Sequence, residues 1–367
     1  MDIKVQKTDF LKAVSLTAGA VSSKGAVPVL NNILLQANKE MEQIVLTGTD
    51  LEIGIRTNCQ AQVILEGSIT IPAKKLFDIV RELPEGEIDI AVTKNNAVNI
   101  KAKKAYFKIM GLGAEDFPKL PEPTPNQTFE LDQAILKHCL GLTSFAISHD
   151  ETRYTLNGVL IALKNGMARF VATDGKRLAF VEKKVDLLKD ISIDAIIPAK
   201  TVLELLKNLP GQGKVKVMYS QNQILFQLEG TTIVSRLIEG KFPNYEQVIP
   251  KETKTNTQLN RQDFLSAIKR ISLLTSQENQ TVKLDFTKGR VLVSSRSPNL
   301  GEAKEELEAE VLGEDLAIGF NPNYLTDILK NLDVDQISLS LTGPDKPGLF
   351  KKNDEYLYVV MPMQLTY

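Results

Sequence analysis

Residues 195–213, AIIPAKTVLELLKNLPGQG, nearly restate residues 69–86, ITIPAKKLFDIVRELPEG. Pro72 and Pro198 lie 126 residues apart, a period too long for a solenoid unit, so a duplicated domain is indicated. Other landmarks keep the same order and spacing. DFLKAVSLT (9–17) resembles AILKHCLGLT (134–143), with Leu11 and Leu136 separated by 125. LTGTDLEIG (46–54) resembles FVATDGKRL (170–178), with Thr49 and Thr173 separated by 124. AEDFPKL (114–120) resembles EGKFPNY (239–245), with Phe117 and Phe242 separated by 125. A fainter third copy contains RQDFLSAIKRISLLT (261–275) and IGFNPNYLTDILKNL (318–332), in which Leu332 aligns with Leu209 and Leu83. Three similar domains are therefore expected over residues 1–122, 123–252 and 253–367. The junctions LPEPTPNQ and IPKETKTNTQ have polar, proline-bearing linker compositions.

Each copy reads as α+β. A first helix is expected near the candidate N-caps Thr8, Asp132 and Asn260. Alternating strands such as NILLQA, GVLIAL and VKLDF follow. The repeated helix then begins at Pro72, Pro198 or Pro322, where a missing N–H does no harm, and Leu-Pro ends it in two copies. Its apolar stripe has the spacing i, i+3, i+4, i+7: Leu76, Ile79, Val80 and Leu83; Val202, Leu205, Leu206 and Leu209; Leu325, Ile328, Leu329 and Leu332.

The other face repeats a charge. Arg81, Lys207 and Lys330 occupy one position in all three copies, and Lys74 and Lys200 match in two, with Asn323 in the third. The first helix adds Lys12 and Lys137, with Lys269 and Arg270 in the third copy. Asp78, Glu204 and Asp327 stand three residues before the first set, so each cation has an intrahelical partner worth about 0.2–0.5 kcal/mol. Two readings follow: a solvated helix face, or three copies presenting cations to one long anion such as a duplex, without sequence readout. Net charge is −1 over the 367 residues, which would mask a local basic patch.

Nothing forms a catalytic constellation. Two histidines and two separated cysteines, Cys59 and Cys139, make no zinc pattern, and no cofactor is expected. The cysteines read as free buried thiols. His138 reads as a packed helix residue. His149 and Arg153, in ISHDETRY, are placed to touch phosphate. Asp174 reads as a turn residue in ATDGKRLA. No Walker, GxGxxG or GxSxG motif is present. The acidic run GEAKEELEAEVLGED (301–315) alternates through Leu307, Ala309 and Val311, as a strand with one solvated face does. The polar start MDIKVQKTDF and the lack of a long apolar run point to a cytoplasmic protein with no membrane partner. At the other end, Val359 and Val360 read as a closing strand. Met361-Pro362-Met363 breaks it and offers a methionine-rich peptide site.

VATDGKRLA, GKFPNYEQVIP, the repeated IPAK helix, RYTLNGVL and the terminal YVVMPMQL together resemble the bacterial sliding clamps, the DNA polymerase III β subunits, over the whole chain. The resemblance implies a non-catalytic processivity factor. Two helices per domain would pack on antiparallel sheets, and two chains would close head to tail into a six-domain ring around double-stranded DNA. It implies a pocket for extended peptides at Leu156, Thr173, Gly175, Lys176, Arg177, Leu178, Pro243, Val248, Asn321, Tyr324, Val359, Val360, Met361, Pro362, Met363 and Leu365. The implied users are the DNA polymerase III α subunit, the clamp loader δ subunit, and other polymerases and repair proteins. It implies a homodimer seam at Phe107 and Ile109 against Leu273 and Leu274, and a DNA contact at Lys24. The chain departs from the family at Gln364 in place of arginine, Lys176 in place of histidine, Glu246-Gln247 in place of a basic pair, and the added Thr366-Tyr367. A scaffold that never encircles DNA, and an enzyme on a repeated α+β fold, are the rival readings.

Overall fold

The computed structural model describes residues 1–22, 27–121, 126–186, 191–275 and 280–365. Six helices occur among them: α1 (Lys7–Ala18), α2 (Ala73–Glu82), α3 (Gln133–Thr143), α4 (Ala199–Asn208), α5 (Arg261–Ser272) and α6 (Pro322–Asn331). The remainder is mainly antiparallel sheet. The chain divides into two compact units, Met1–Ala134 with Lys200–Leu237, and Ile135–Ala199 with Ile238–Tyr367.

The first unit holds a five-stranded and an eight-stranded sheet. In the larger one, four strands of the middle repeat continue into four strands of the first. The seam is Thr231–Arg236 paired antiparallel with Ile53–Gln60. Helices α1 and α2 pack together, and Phe10, Val14, Leu76 and Val80 close a core with Ile3, Ile33, Leu35 and Ile90. The second unit repeats the plan with a nine-stranded and a four-stranded sheet. There the seam is Arg177–Lys184 paired with Tyr356–Val360, and α5 packs on α6. The apolar stripes of α2, α4 and α6 are buried or half-buried throughout, as their spacing requires.

Helix starts differ from expectation in two ways. Thr8 lies inside α1, whose N-cap is Gln6 without a side-chain bond. The Lys7 N–H donates to Gly86 O at 2.9 Å, which satisfies one of the free donors of the first turn. Asn260 does cap α5, accepting from Gln262 N and Asp263 N at 3.0 Å. Pro72 and Pro198 are the last residues of the strands Gly67–Pro72 and Ser192–Pro198, one place before their helices, and only Pro322 is inside one. The strands run directly into the helices, so both prolines still sit against sheet neighbours, Asn32 and Gly158. His138 is exposed, because α3 buries Leu136, Cys139, Leu140 and Thr143 instead. Desolvation of the ring by its neighbours, then the charges of Lys183 and Lys352, lower its pKa. Both cysteines are free and buried, and burial raises their pKa values, Cys59 to about 11 and Cys139 to about 12. Among the described residues no helix is long and apolar enough to cross a membrane.

The two TD turns are built alike. In one, Asp174 Oδ1 accepts from Lys176 N and Arg177 N, and Thr173 Oγ1 accepts from Gly175 N. In the other, Asp50 Oδ1 accepts from Glu52 N and Ile53 N, and Thr49 Oγ1 accepts from Leu51 N. Gly175 has φ +84° and Leu51 has φ +77°, so the first copy holds a left-handed conformation without glycine. Leu51 is exposed and loses little by truncation. Leu51→Gly is expected to stabilise the chain by about 0.5–1 kcal/mol, read as a higher urea midpoint; an unchanged or lower midpoint would refute the strain at this turn.

Candidate functional site

The second TD turn carries Arg177, the most connected side chain near the chain's end. Its Nε donates to Asp174 Oδ2 at 3.1 Å, Nη1 to Asp327 Oδ2 at 2.6 Å and Nη2 to Phe145 O at 2.5 Å. The guanidinium stacks 4.6 Å above the Tyr324 ring, and its side chain is only 11% exposed. Burial opposes its charge, but Tyr358 and Asp327, then Asp174, outweigh burial and hold its pKa above the ordinary arginine value. Tyr358 in turn donates to Tyr324 O at 3.0 Å.

Beside this turn opens a mainly apolar cleft of about 160 Å³. Leu178 and Val359, paired on neighbouring strands of the nine-stranded sheet, and Leu156, at the end of the short 3-10 helix Glu151–Leu156, form its buried floor. Thr173, Gly175, Lys176 and Arg177 make one wall. Pro243 and Val248 come from the 239–250 segment, and Met361 overhangs the opening at 41% exposed. Ten of the sixteen residues expected at a peptide pocket meet here. Asn244 and Tyr245 also line it and were missed, although they sit in the quoted GKFPNYEQVIP stretch. Tyr245 packs against Phe180 and Phe242, with ring centroids 5.8 and 6.4 Å away.

The other six expected residues lie alongside it. Val360 is fully buried under the strand end. Asn321 caps α6 by accepting from Asn323 N, and Tyr324 supports Arg177. The tail leaves the cleft in steps: Met361 N donates to Lys176 O, and Met363 N to Gly319 O, both at 2.8 Å. Pro362 joins them. Leu365 then rests beside a second hollow of about 250 Å³, over the four-stranded sheet, lined mostly by charged and polar groups such as Lys283, Asp285 and Glu302. Of the departures, Lys176 is exposed on the wall, Gln364 is exposed beyond it, and Glu246 pairs with Arg169 at 3.4 Å. Thr366 and Tyr367 lie outside the described residues, as does Lys24.

The repeated cations are not equivalent. Arg81 pairs with Asp78 at 3.8 Å and Glu82 at 3.0 Å, and lies over the Phe77 ring. Lys207 and Lys330 are exposed and make no ion pair among the described residues, and the same holds for Lys74. Lys200 is already engaged within the fold. Its Nζ donates to Asp50 Oδ2 at 2.6 Å and to the carbonyls of Ala20 and Val21 at 3.2 and 3.4 Å, fastening the end of α1. His149 is exposed. Arg153 pairs with Asp150 at 3.1 Å and covers Gly175. Phe107 and Ile109 lie on Ala105–Met110, the edge strand of the five-stranded sheet, and Leu273, 78% exposed, follows α5 with Leu274. The acidic run forms the strands Gly301–Glu308 and Glu310–Gly313, with Glu305 held by Arg270 and Glu306 by Arg290. Among the described residues no three His, Cys, Asp or Glu side chains are grouped to hold a metal.

Family models for the DNA polymerase III beta subunit match the chain in sequence: the N-terminal domain at residues 1–121, the central domain at 130–244 and the C-terminal domain at 246–364. The chain is 32% identical to the beta sliding clamp of Chlamydia pneumoniae, with 100% of this chain and 99% of that protein covered. It is 35% identical to that of Pseudomonas putida, with both chains covered completely. Among solved structures it resembles the DNA polymerase sliding clamp of Bacillus subtilis (TM-score 0.93, 31% identity, 100% of both chains). It also resembles the sliding clamp of Pseudomonas aeruginosa bound to griselimycin (TM-score 0.93, 34% identity, 100% of both chains).

Pairing decides which cations are free to meet a polyanion. Lys207→Ala is expected to flatten the salt dependence of duplex binding by about 0.9 in log–log slope, the amount for one phosphate contact. Arg81→Ala is expected to change it much less, because Arg81 already faces two carboxylates. Equal effects in a fluorescence anisotropy salt series would refute the distinction.

Proposed function

We propose how this chain, a member of the DNA polymerase III β-subunit family and so a non-catalytic sliding clamp, works on DNA. Two copies close head to tail around the duplex, and the cleft under Met361 tethers replication proteins to it. The carrying observation is the cleft. Segments far apart in sequence converge on one apolar floor walled by the TD turn and the 239–250 segment, a form suited to an extended peptide with spaced apolar side chains. Such side chains displace water from Leu156, Leu178 and Val359, and burial of apolar surface supplies the affinity. One cleft per chain means that the DNA polymerase III α subunit, the clamp loader δ subunit, other polymerases and repair proteins compete for it.

Two open sheet edges support the ring. Ala105–Met110 ends the five-stranded sheet with exposed Tyr106, Phe107, Lys108 and Met110. Gly301–Glu308 ends the four-stranded sheet with a mostly acidic face. Each presents unpaired backbone donors and acceptors, and their side-chain charges are opposite. Joining unlike edges is heterologous, so it closes only when the domains complete a turn, here six domains split at 1–122, 123–252 and 253–367 in each chain. Phe107 and Ile109 would meet Leu273 and Leu274 across that seam. The freely presented lysines touch phosphates without reading bases, which leaves the ring able to move. The working site of such a ring is the cytoplasm, where chromosomal DNA is copied.

Retention on DNA separates this reading from a scaffold. The protein, loaded on a nicked circle by its own clamp loader, should stay bound through gel filtration and be lost after one double-strand cut. Equal retention on circle and linear product would mean ordinary phosphate binding and would sink the ring. The cleft is tested separately. Val248→Asp and Met361→Ser change exposed rim residues and should weaken capture of an α-subunit clamp-binding peptide by about tenfold, roughly 1.4 kcal/mol, with circle retention unchanged. Unchanged peptide affinity would move the site elsewhere.

A further inference from the structure

Helices α2, α4 and α6 share one pattern, an acid three residues before a cation, yet only α2 closes that pair. In α2 the position after Arg81 is Glu82, a second carboxylate on the same guanidinium at 3.0 Å. The aligned residues in α4 and α6 are asparagines, Asn208 and Asn331. Asn208 Nδ2 donates to Glu204 O at 2.8 Å and to Glu204 Oε2 at 3.1 Å, drawing that acid from Lys207. In α6, Asn331 Nδ2 donates to Asp327 O at 2.8 Å, while the Asp327 carboxylate accepts from Arg177 Nη1 at 2.6 Å.

We propose that Arg177 is a positioning residue for the DNA-facing surface: by holding the Asp327 carboxylate away from Lys330 it leaves Lys330 free to contact phosphate. This rests on the reading that Lys330 faces the duplex. Arg177 wins the competition on physical grounds. Its planar fork is held by Asp174, Phe145 O and the Tyr324 ring, so pairing costs it little further ordering. It is shielded from solvent, so salt screens it weakly. Lys330 is exposed, and an exposed intrahelical pair would have to order its long side chain for a small gain. The Asp327 carboxylate, already bonded to Arg177 at 2.6 Å, is turned to that partner and makes no ion pair with Lys330. Arg177 also forms part of the cleft wall, so one side chain belongs to both the peptide site and the charge of α6.

The test uses the full chain, a short mixed-sequence duplex, and the slope of log affinity against log NaCl concentration. Lys330→Ala sets the scale and should flatten the slope by about 0.9. Arg177→Met should give much of that loss, because Asp327 is released to Lys330. Arg177→Met with Asp327→Asn should recover the parent slope, a rescue that a purely structural role for Arg177 would not give. Arg177→Lys, which keeps a cation for Asp327, should stay near the parent. Should Arg177→Met fail to fold by circular dichroism, Asp327→Asn alone decides: an unchanged slope supports the proposal and a flattened slope overturns it. Lys330→Ala flattening the slope while folded Arg177→Met does not, or a loss that Asp327→Asn fails to restore, also overturns it. No effect of Lys330→Ala would instead refute the reading that Lys330 faces DNA.

Discussion

The structure depends on sheet edges of successive repeats pairing with each other. A terminal strand leaves a row of unpaired N–H and C=O groups, which is costly to bury and prone to aggregation when exposed. Here Thr231–Arg236 covers Ile53–Gln60, and Tyr356–Val360 covers Arg177–Lys184, so each seam removes two open edges at once. The cleft follows from the register of the second seam. Leu178 faces Val359 and Arg177 faces Val360, which brings the TD turn beside the strand's end and lets Met361 N reach Lys176 O. A slip of one residue would turn Val359 to the opposite face and remove the floor.

The two seams share a ladder but not a surface. Gly54 takes the place that Leu178 has in the later seam, opposite Val234 in place of Val359. The Leu120 side chain fills the space that a Gly54 Cβ would need. In the later seam the aligned residue, Tyr245, is drawn aside by Phe180 and Phe242, and the floor stays open. Both seams border a hollow, about 380 Å³ beside Leu120 and Val234 and about 160 Å³ beside Leu178 and Val359, and side-chain size at these positions makes their linings differ.

Much of this was legible because repetition turns weak signals into strong ones. One amphipathic stretch is ambiguous, but three at similar offsets, 126 and 123 residues, mark α2, α4 and α6 and their buried stripes. Local chemistry read without its neighbours did less well. Thr8 looks like a cap, but the strand Asp2–Gln6 runs straight into the helix, which already includes Lys7. Lys200 looks like a free cation by its alignment with Lys74, yet Asp50 and two carbonyls hold it. His138 looks like a core residue beside Cys139, but a helix turns 100° per residue and Cys139 has the inward place. The cleft wall was readable from the family resemblance. Asn244 and Tyr245 were not marked, because their part depends on where the 239–250 segment crosses the sheet, and no local pattern encodes that.

The same limit governs charge. The spacing of Asp78, Glu204 and Asp327 before their cations predicts three equal ion pairs, and net composition predicts almost no field at all. Third partners decide instead: Glu82 adds a carboxylate in α2, while Asn208 and Arg177 take the acids in α4 and α6. A cation already matched by carboxylates displaces few counterions from a phosphate, whereas an unmatched one displaces nearly a full ion. A ring that must hold DNA and still travel along it needs a few such contacts and no more, since each one deepens the well that motion must leave. A near-neutral chain whose repeated helix position carries a matched Arg81 beside Lys207 and Lys330, unpaired among the described residues, fits that condition, and topology rather than affinity then keeps it on the duplex.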